Sequence, residues 1–144
     1  MSLRILQVED EPSLARLLKE YLKMAMGEPF ELTWVQRLAE ASTALTAQTF
    51  DLVLLDLGLP DSFGLEGLHI LHQQRPQIPI IVLSGLEDEL TAMRTLQDGA
   101  QDYLVKGNLD SKLLARAVHD AIERKKVELA QGQEHALASG DSLR

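Results

Sequence analysis

The chain contains no cysteine, which removes disulfides, thiolate metal sites and cysteine nucleophiles together. It also lacks any apolar run approaching the ~20 residues that a bilayer crossing needs, its longest apolar stretches being strand-sized. No charged-then-apolar leader opens it, so the expectation is a cytoplasmic protein with no membrane association. Positive charge is scarce: 14 Lys and Arg stand against 22 Asp and Glu, a formal net charge of −8. That sign argues against direct nucleic-acid binding, which draws on a basic face to neutralise phosphates.

What is present is an ordinary globular composition. The chain has 144 residues, 45% hydrophobic and 25% charged, enough for one domain around a single core. Strand-like and helix-like patterns alternate along it. Arg4 to Val8 is a short apolar strand, and Leu14, Leu18 and Leu22 then repeat on one helical face. Pro12 suits the first turn of that helix, where its missing N–H would have no partner. Phe30 to Val35 alternates as a second strand, and Leu38, Ala41 and Leu45 mark a second helix. "DLVLLD" is a third strand; Leu65, Leu68 and Leu71 stripe a third helix that stops before Pro76. Ile78 to Ser84 is apolar almost throughout, as a strand covered on both faces should be. Leu86, Leu90 and Met93 give a fourth helix ended by Gly99, "QDYLVK" a fifth strand, and Leu114, Val118 and Ile122 a fifth helix. Strands and helices alternating in this way predict an α/β fold, a doubly wound five-stranded parallel sheet with five helices on its two faces. From about residue 127 the pattern fades, and 127–144 is expected to be a weakly helical or disordered tail or linker.

In open parallel sheets, ligands sit outside the carboxyl ends of the strands, near the point where strand order reverses. Here the first strand ends in Glu9, Asp10 and Glu11, the third in Asp56, the fourth in Ser84 and the fifth in Lys106. Two carboxylates about 4 Å apart repel by roughly 4 kcal/mol at an effective dielectric of about 20. Three in one cleft need a counter-charge, and a hard divalent cation bound by oxygens supplies it; Mg²⁺ takes one or two carboxylates and keeps several waters. With the Lys106 ammonium and the Ser84 hydroxyl, these groups form a site for a phosphoryl group, with a carboxylate as nucleophile. Singly, each residue has a bland reading. Asp56 would cap a turn, the acids at 9–11 would favour a helix N-terminus, and Lys106 would be a surface lysine. Their coincidence at one rim outweighs those readings. His69, His72, His119 and His135 lack metal-ligand spacing and are expected on the surface. Trp34 is expected to lie too far from the acids to report on them.

The segments "ILQVEDEP", "DLVLLDLGLPDSFGLEGL", "IPIIVLSG" and "GAQDYLVKG", in this order and spacing, resemble the receiver (REC) domains of two-component response regulators. The resemblance covers about residues 3–126, and it implies the flavodoxin-like strand order 2-1-3-4-5. By position, Asp56 matches the phosphoacceptor, Asp10 the direct Mg²⁺ ligand, Glu9 the acid acting through water, and Gly58 the backbone carbonyl offered to the metal. Ser84 matches the hydroxyl that contacts the phosphoryl group, Lys106 the family's lysine, and Tyr103 the aromatic whose rotation accompanies the switch. The implied role is a phosphoprotein of a two-component phosphorelay, charged by a sensor histidine kinase or phosphotransfer protein, controlling a downstream partner or domain. Such a domain is not an enzyme in the ordinary sense; it catalyses only its own phosphorylation and dephosphorylation. A homodimer through the face made by the fourth helix, fifth strand and fifth helix is also implied. Three departures stand out: Gly107 follows the lysine where most of the family has proline, Gly58 and Leu86 replace polar residues that often flank the site, and Glu9 is longer than the commoner aspartate.

Two other functions compete. A Mg²⁺-dependent aspartyl-phosphate hydrolase of small molecules shares the sheet, aspartate and lysine. Its nucleophile, however, usually ends the first strand with a second aspartate two positions on, and the position two beyond Asp56 is Gly58. A receiver-like interaction module that is never phosphorylated is the other, and the full set of site residues counts against it.

Overall fold

The computed structural model describes residues 2–142, with side chains described as far as residue 132. Strands and helices alternate as β1 (Leu3–Val8), α1 (Pro12–Ala25), β2 (Phe30–Val35), α2 (Leu38–Ala47), β3 (Leu52–Asp56), α3 (Glu66–Gln74), β4 (Ile80–Ser84), α4 (Glu89–Gln97), β5 (Asp102–Val105) and α5 (Ser111–Ser142). A single 3₁₀ turn, Lys106–Asn108, joins β5 to α5. The five strands pair in the order β2-β1-β3-β4-β5, every pair parallel. Strand order therefore reverses at β1 and β3, the position at which such sheets open a binding crevice.

The period of two in the strands divides the core. Leu6, Val8, Val53 and Leu55 face Leu38, Ala41 and Leu45 of α2 and Leu68 and Leu71 of α3. Ile5, Leu52, Leu54, Ile81 and Leu83 face the other way, onto Leu18 and Leu22 of α1 and Leu114, Val118 and Ala121 of α5. β3 and β4 are buried along their whole length, and each large aliphatic side chain removed from water contributes about 1.5–3 kcal/mol. That packing fixes the strand ends that carry the polar rim. Pro12 stands in the first turn of α1, as its missing N–H predicts.

α4 departs from the sequence expectation. It begins at Glu89, so Leu86 lies outside it, and its one buried residue is Thr95. Leu90, Met93 and Leu96 are exposed. The periodicity marks a helix correctly but not its covered side, because the face turned inward is threonine and alanine. Gly99, just beyond α4, has φ +113°, and a Cβ there would lie 2.8 Å from the His72 ring. The glycine thus admits both the turn and the close approach of α3.

The α2 N-terminus is capped from a distance. Arg37, at its N-cap, makes no side-chain cap. Instead, Asp61 of the β3–α3 loop accepts from Leu38 N at 2.8 Å and Ala39 N at 3.1 Å. Slight burial is the largest single influence on Asp61 and opposes its charge, but these N–H donors hold its pKa below the ordinary carboxylate value.

α5 continues as helix across residues 126 and 127, where the sequence pattern fades. Arg124 of α5 donates to the Gln101 carbonyl at 3.1 Å, and Gln101 Nε2 donates to Glu128 at 3.0 Å. Among the histidines, His69 is exposed and pairs with Asp98 at 2.9 Å. His72 and His119 are partly buried, against the surface expectation; His119 lies 3.1 Å from the Met26 carbonyl and 3.3 Å from Glu28. The side chain of His135 lies outside the described residues. Among the described residues, no helix is long and apolar enough to cross a membrane.

Candidate functional site

Parallel register brings the strand ends abreast. Val8 pairs with Leu55, Asp56 with Leu83 and Ser84 with Val105, so Glu9, Asp56, Ser84 and Lys106 follow or end adjacent strands on one rim. Lys106 Nζ lies 2.9 Å from Asp56 Oδ1 and 3.1 Å from Glu9 Oε1. Both carboxylates are buried, whereas Asp10 is exposed at the edge. Asp56 Oδ1 also accepts from Gly58 N at 3.0 Å, and Glu9 Oε2 from Glu11 N at 3.2 Å. Glu11 is exposed at the head of α1, outside the cluster.

Burial, followed by the charge of Asp56, pushes the Glu9 carboxyl up to about 7, with Lys106 pulling the other way. For Lys106, burial is the largest influence and opposes its charge. The hydrogen bond and charge of Asp56, followed by those of Glu9, more than offset it and raise the pKa above the ordinary lysine value. Lys106 is therefore a fixed ammonium shared by two buried acids. One ammonium does not balance three acids. Oxygen atoms of Glu9, Asp10 and Asp56 all lie within 4.8 Å of one another, an oxygen-only donor set that fits a hard divalent cation such as Mg²⁺.

The two residues expected to switch meet at the backbone of one residue, Leu86. Ser84 Oγ accepts from Leu86 N at 3.1 Å, and the Tyr103 hydroxyl donates to Leu86 O at 2.7 Å. Tyr103 is partly buried against the Leu6–Val53–Leu55 side of the core. Among the described residues no peptide is cis, so Lys106–Gly107 is trans. A cleft of about 560 Å³ is lined by Asp56, Gly58, Ser84 and Lys106 at the strand ends, by Leu86, and by Thr91 and Arg94 of α4.

Sequence reasoning missed two residues here. Trp34 Nε1 donates to the Glu9 backbone carbonyl at 2.7 Å, so the tryptophan expected to be remote reaches the backbone of the acidic cluster. The pairing of β2 beside β1, with Trp34 opposite Gln7, is the signal that would have found it. Arg94 belongs to no motif, and only the packing of α4 brings it to the cleft.

A lysine-paired, buried aspartate at the topological switch point of a parallel sheet is the arrangement expected of a receiver domain. Residues 5–119 match the response regulator receiver domain family, and the chain belongs to it. It is 37% identical over 114 residues to the swarming motility regulation protein RssB of Serratia marcescens, covering 79% of this chain and 51% of that protein. It is 36% identical over 116 residues to the DNA-binding response regulator MtrA of Mycolicibacterium smegmatis, covering 81% and 49%. The chain thus spans about half the length of the curated relatives it matches. Among solved structures, a CheY-like receiver domain protein from Methanospirillum hungatei superposes with a TM-score of 0.75 at 25% identity, covering 89% of this chain and 99% of that one. The chain is thus a response regulator receiver domain of the two-component type, and receivers are in general signalling domains without a turnover reaction of their own. The small-molecule hydrolase has no support in these matches.

Proposed function

We propose that Asp56 is the phosphoacceptor of this receiver and that a sensor histidine kinase or phosphotransfer protein supplies its phosphoryl group. The observation that supports this reading is the buried Asp56 carboxylate held 2.9 Å from Lys106 at the sheet's switch point. The carboxylate oxygen is the nucleophile, and the Lys106 ammonium neutralises charge on the transferred phosphoryl oxygens. Asp10 and Asp56 would hold Mg²⁺ directly, with Glu9 contributing through water and Gly58 through its backbone carbonyl. When bound, the ion supplies charge neutralisation and orientation for the phosphoryl oxygens.

Ser84 then turns toward the new oxygens and releases Leu86 N, while Tyr103 moves inward and releases Leu86 O. The domain turns over only its own phosphoryl group. The exposed Leu90, Met93 and Leu96 support a homodimer or partner contact on the α4–β5–α5 face. A cytoplasmic location, a receiver unit over 3–126, a connecting segment over 127–144 and the absence of direct nucleic-acid contact by this unit belong to the same reading. Incubation with Mg²⁺ and acetyl phosphate, read by intact mass, tests it. One phosphoryl group should be gained by the wild type and none by Asp56→Asn; labelling that survives the substitution would refute Asp56.

A further inference from the structure

We infer that Arg94 is a second cationic contact for the phosphoryl group on Asp56, reaching it from α4 and coupling that helix to phosphorylation. The inference rests on the phosphoacceptor reading of Asp56 and adds a residue to it. Arg94, on α4, lines the same cleft as Asp56, Ser84 and Lys106. Among the described residues, no carboxylate forms an ion pair with it. Asp88 feels its charge, but the Asp88 oxygens are engaged by Leu90 N at 3.2 Å and Thr91 Oγ1 at 2.6 Å.

Ser84 and Thr91 are the uncharged polar side chains that share the cleft with Arg94 and Asp56, and neither brings a charge that competes for the guanidinium. Gly58 has no side chain, and Leu86 offers no hydrogen bond. Conversion of Asp56 to its acyl phosphate replaces a single carboxylate charge with a group of charge about −1.5 to −2 and three strong acceptor oxygens. Lys106, already shared with Glu9, together with Ser84 and the metal-binding acids belongs to the strand ends, so Arg94 is the cation that α4 adds to the cleft. A guanidinium presents a fork of donors that matches two phosphoryl oxygens at once.

The consequence falls on α4. Its one buried residue is Thr95 and its large apolar side chains face solvent, so little core packing resists a shift of this helix. Salt-bridging Arg94 to the phosphoryl group draws α4 toward the rim. This pull adds to the Ser84 and Tyr103 movements and reaches α4 without passing through Leu86.

The test uses the full chain, isotope-labelled, with Mg²⁺ and acetyl phosphate, and with beryllofluoride as a stable phosphoryl mimic. Intact mass establishes phosphorylation in the acetyl phosphate samples, and the Gly58 amide shift reports beryllofluoride binding. The expected result is a shift of the Arg94 Nε–H resonance on modification, absent in Asp56→Asn. In modified Arg94→Gln, the amide shifts along α4 should fall to less than half the wild-type size while those at Gly58 persist, and Arg94→Lys should restore part of the loss. A silent Arg94 resonance on a phosphorylated Asp56, or an undiminished α4 response in Arg94→Gln, overturns the inference alone. Failure of Asp56 to take a phosphoryl group at all overturns the phosphoacceptor reading and this one with it.

Discussion

The indole of Trp34 donates to the backbone carbonyl of Glu9 across 2.7 Å, joining the only tryptophan of the chain to the first residue of the acidic cluster. Asp10 follows directly, so an ion drawn in by Asp10 acts one peptide away from that bond. Titration with Mg²⁺ should therefore change Trp34 emission, in intensity or wavelength, with a saturating profile. Asp10→Asn should weaken the response about tenfold or more in midpoint, a loss of roughly 1.4 kcal/mol. Equal midpoints in the two proteins would remove Asp10 from the metal site.

The lifetime of the phosphorylated state depends on a water held in line behind phosphorus. Gly58 and Leu86 line the cleft over Asp56, and neither side chain offers such a water a hydrogen bond. A Cβ at Gly58 would sit 3.5 Å from Asp56 Oδ1, ordinary contact, so a side chain fits there without displacing the nucleophile. Gly58→Asn with Leu86→Glu is expected to speed decay of phospho-Asp56 by about threefold to tenfold, or up to about 1.4 kcal/mol of barrier. Decay followed by intact mass at constant Mg²⁺ decides it; an unchanged rate means that these positions do not set the lifetime.

Asp61→Ala should cost about 1 kcal/mol, the usual loss when a helix N-terminus gives up its cap. In a domain of this size that corresponds to a fall in Tm of about 3 °C. The sign of the pH dependence follows from a native pKa held below the unfolded one. The contribution is fully present above the unfolded carboxylate pKa and disappears as pH falls through the lower native value. Wild type and Asp61→Ala should thus differ at neutral pH and converge in acid, as thermal melts across pH will reveal.

Gly99→Ala meets two penalties, a left-handed φ of +113° and a Cβ 2.8 Å from His72. Together they should destabilise by about 1–3 kcal/mol in denaturant unfolding. Combining it with His72→Ala removes the clash and leaves the backbone strain. The double variant should lose less than the two single losses added; strict additivity would mean that the ring does not obstruct the new methyl.

Glu9, Asp10, Asp56, Ser84 and Lys106 were legible because a parallel sheet delivers successive strand ends to one rim, and apolar runs show where strands end. The register that sets Lys106 against both buried acids follows from the same geometry. Elements whose partners lie elsewhere in the chain were not legible. Hydrophobic periodicity located α4 but could not show that Leu90 and Met93 face outward, since that depends on which side the sheet covers. The link from Ser84 through Leu86 to Tyr103 runs over backbone groups that every residue possesses. The Asp61 cap, the Trp34 bond and the placement of Arg94 each join segments whose approach exists only after folding.

The Asp61 staple has a consequence for where information goes. Its carboxylate ties the loop after β3 to the first turn of α2, giving the cleft over Asp56 one bank that is anchored, while α4 forms a bank with a single buried residue. A stress generated at Asp56 yields toward the weaker side. The α2 flank should look alike whether or not Asp56 is charged. It is the surface on which a ligand could remain seated throughout the signalling cycle, blind to the state that the opposite flank displays.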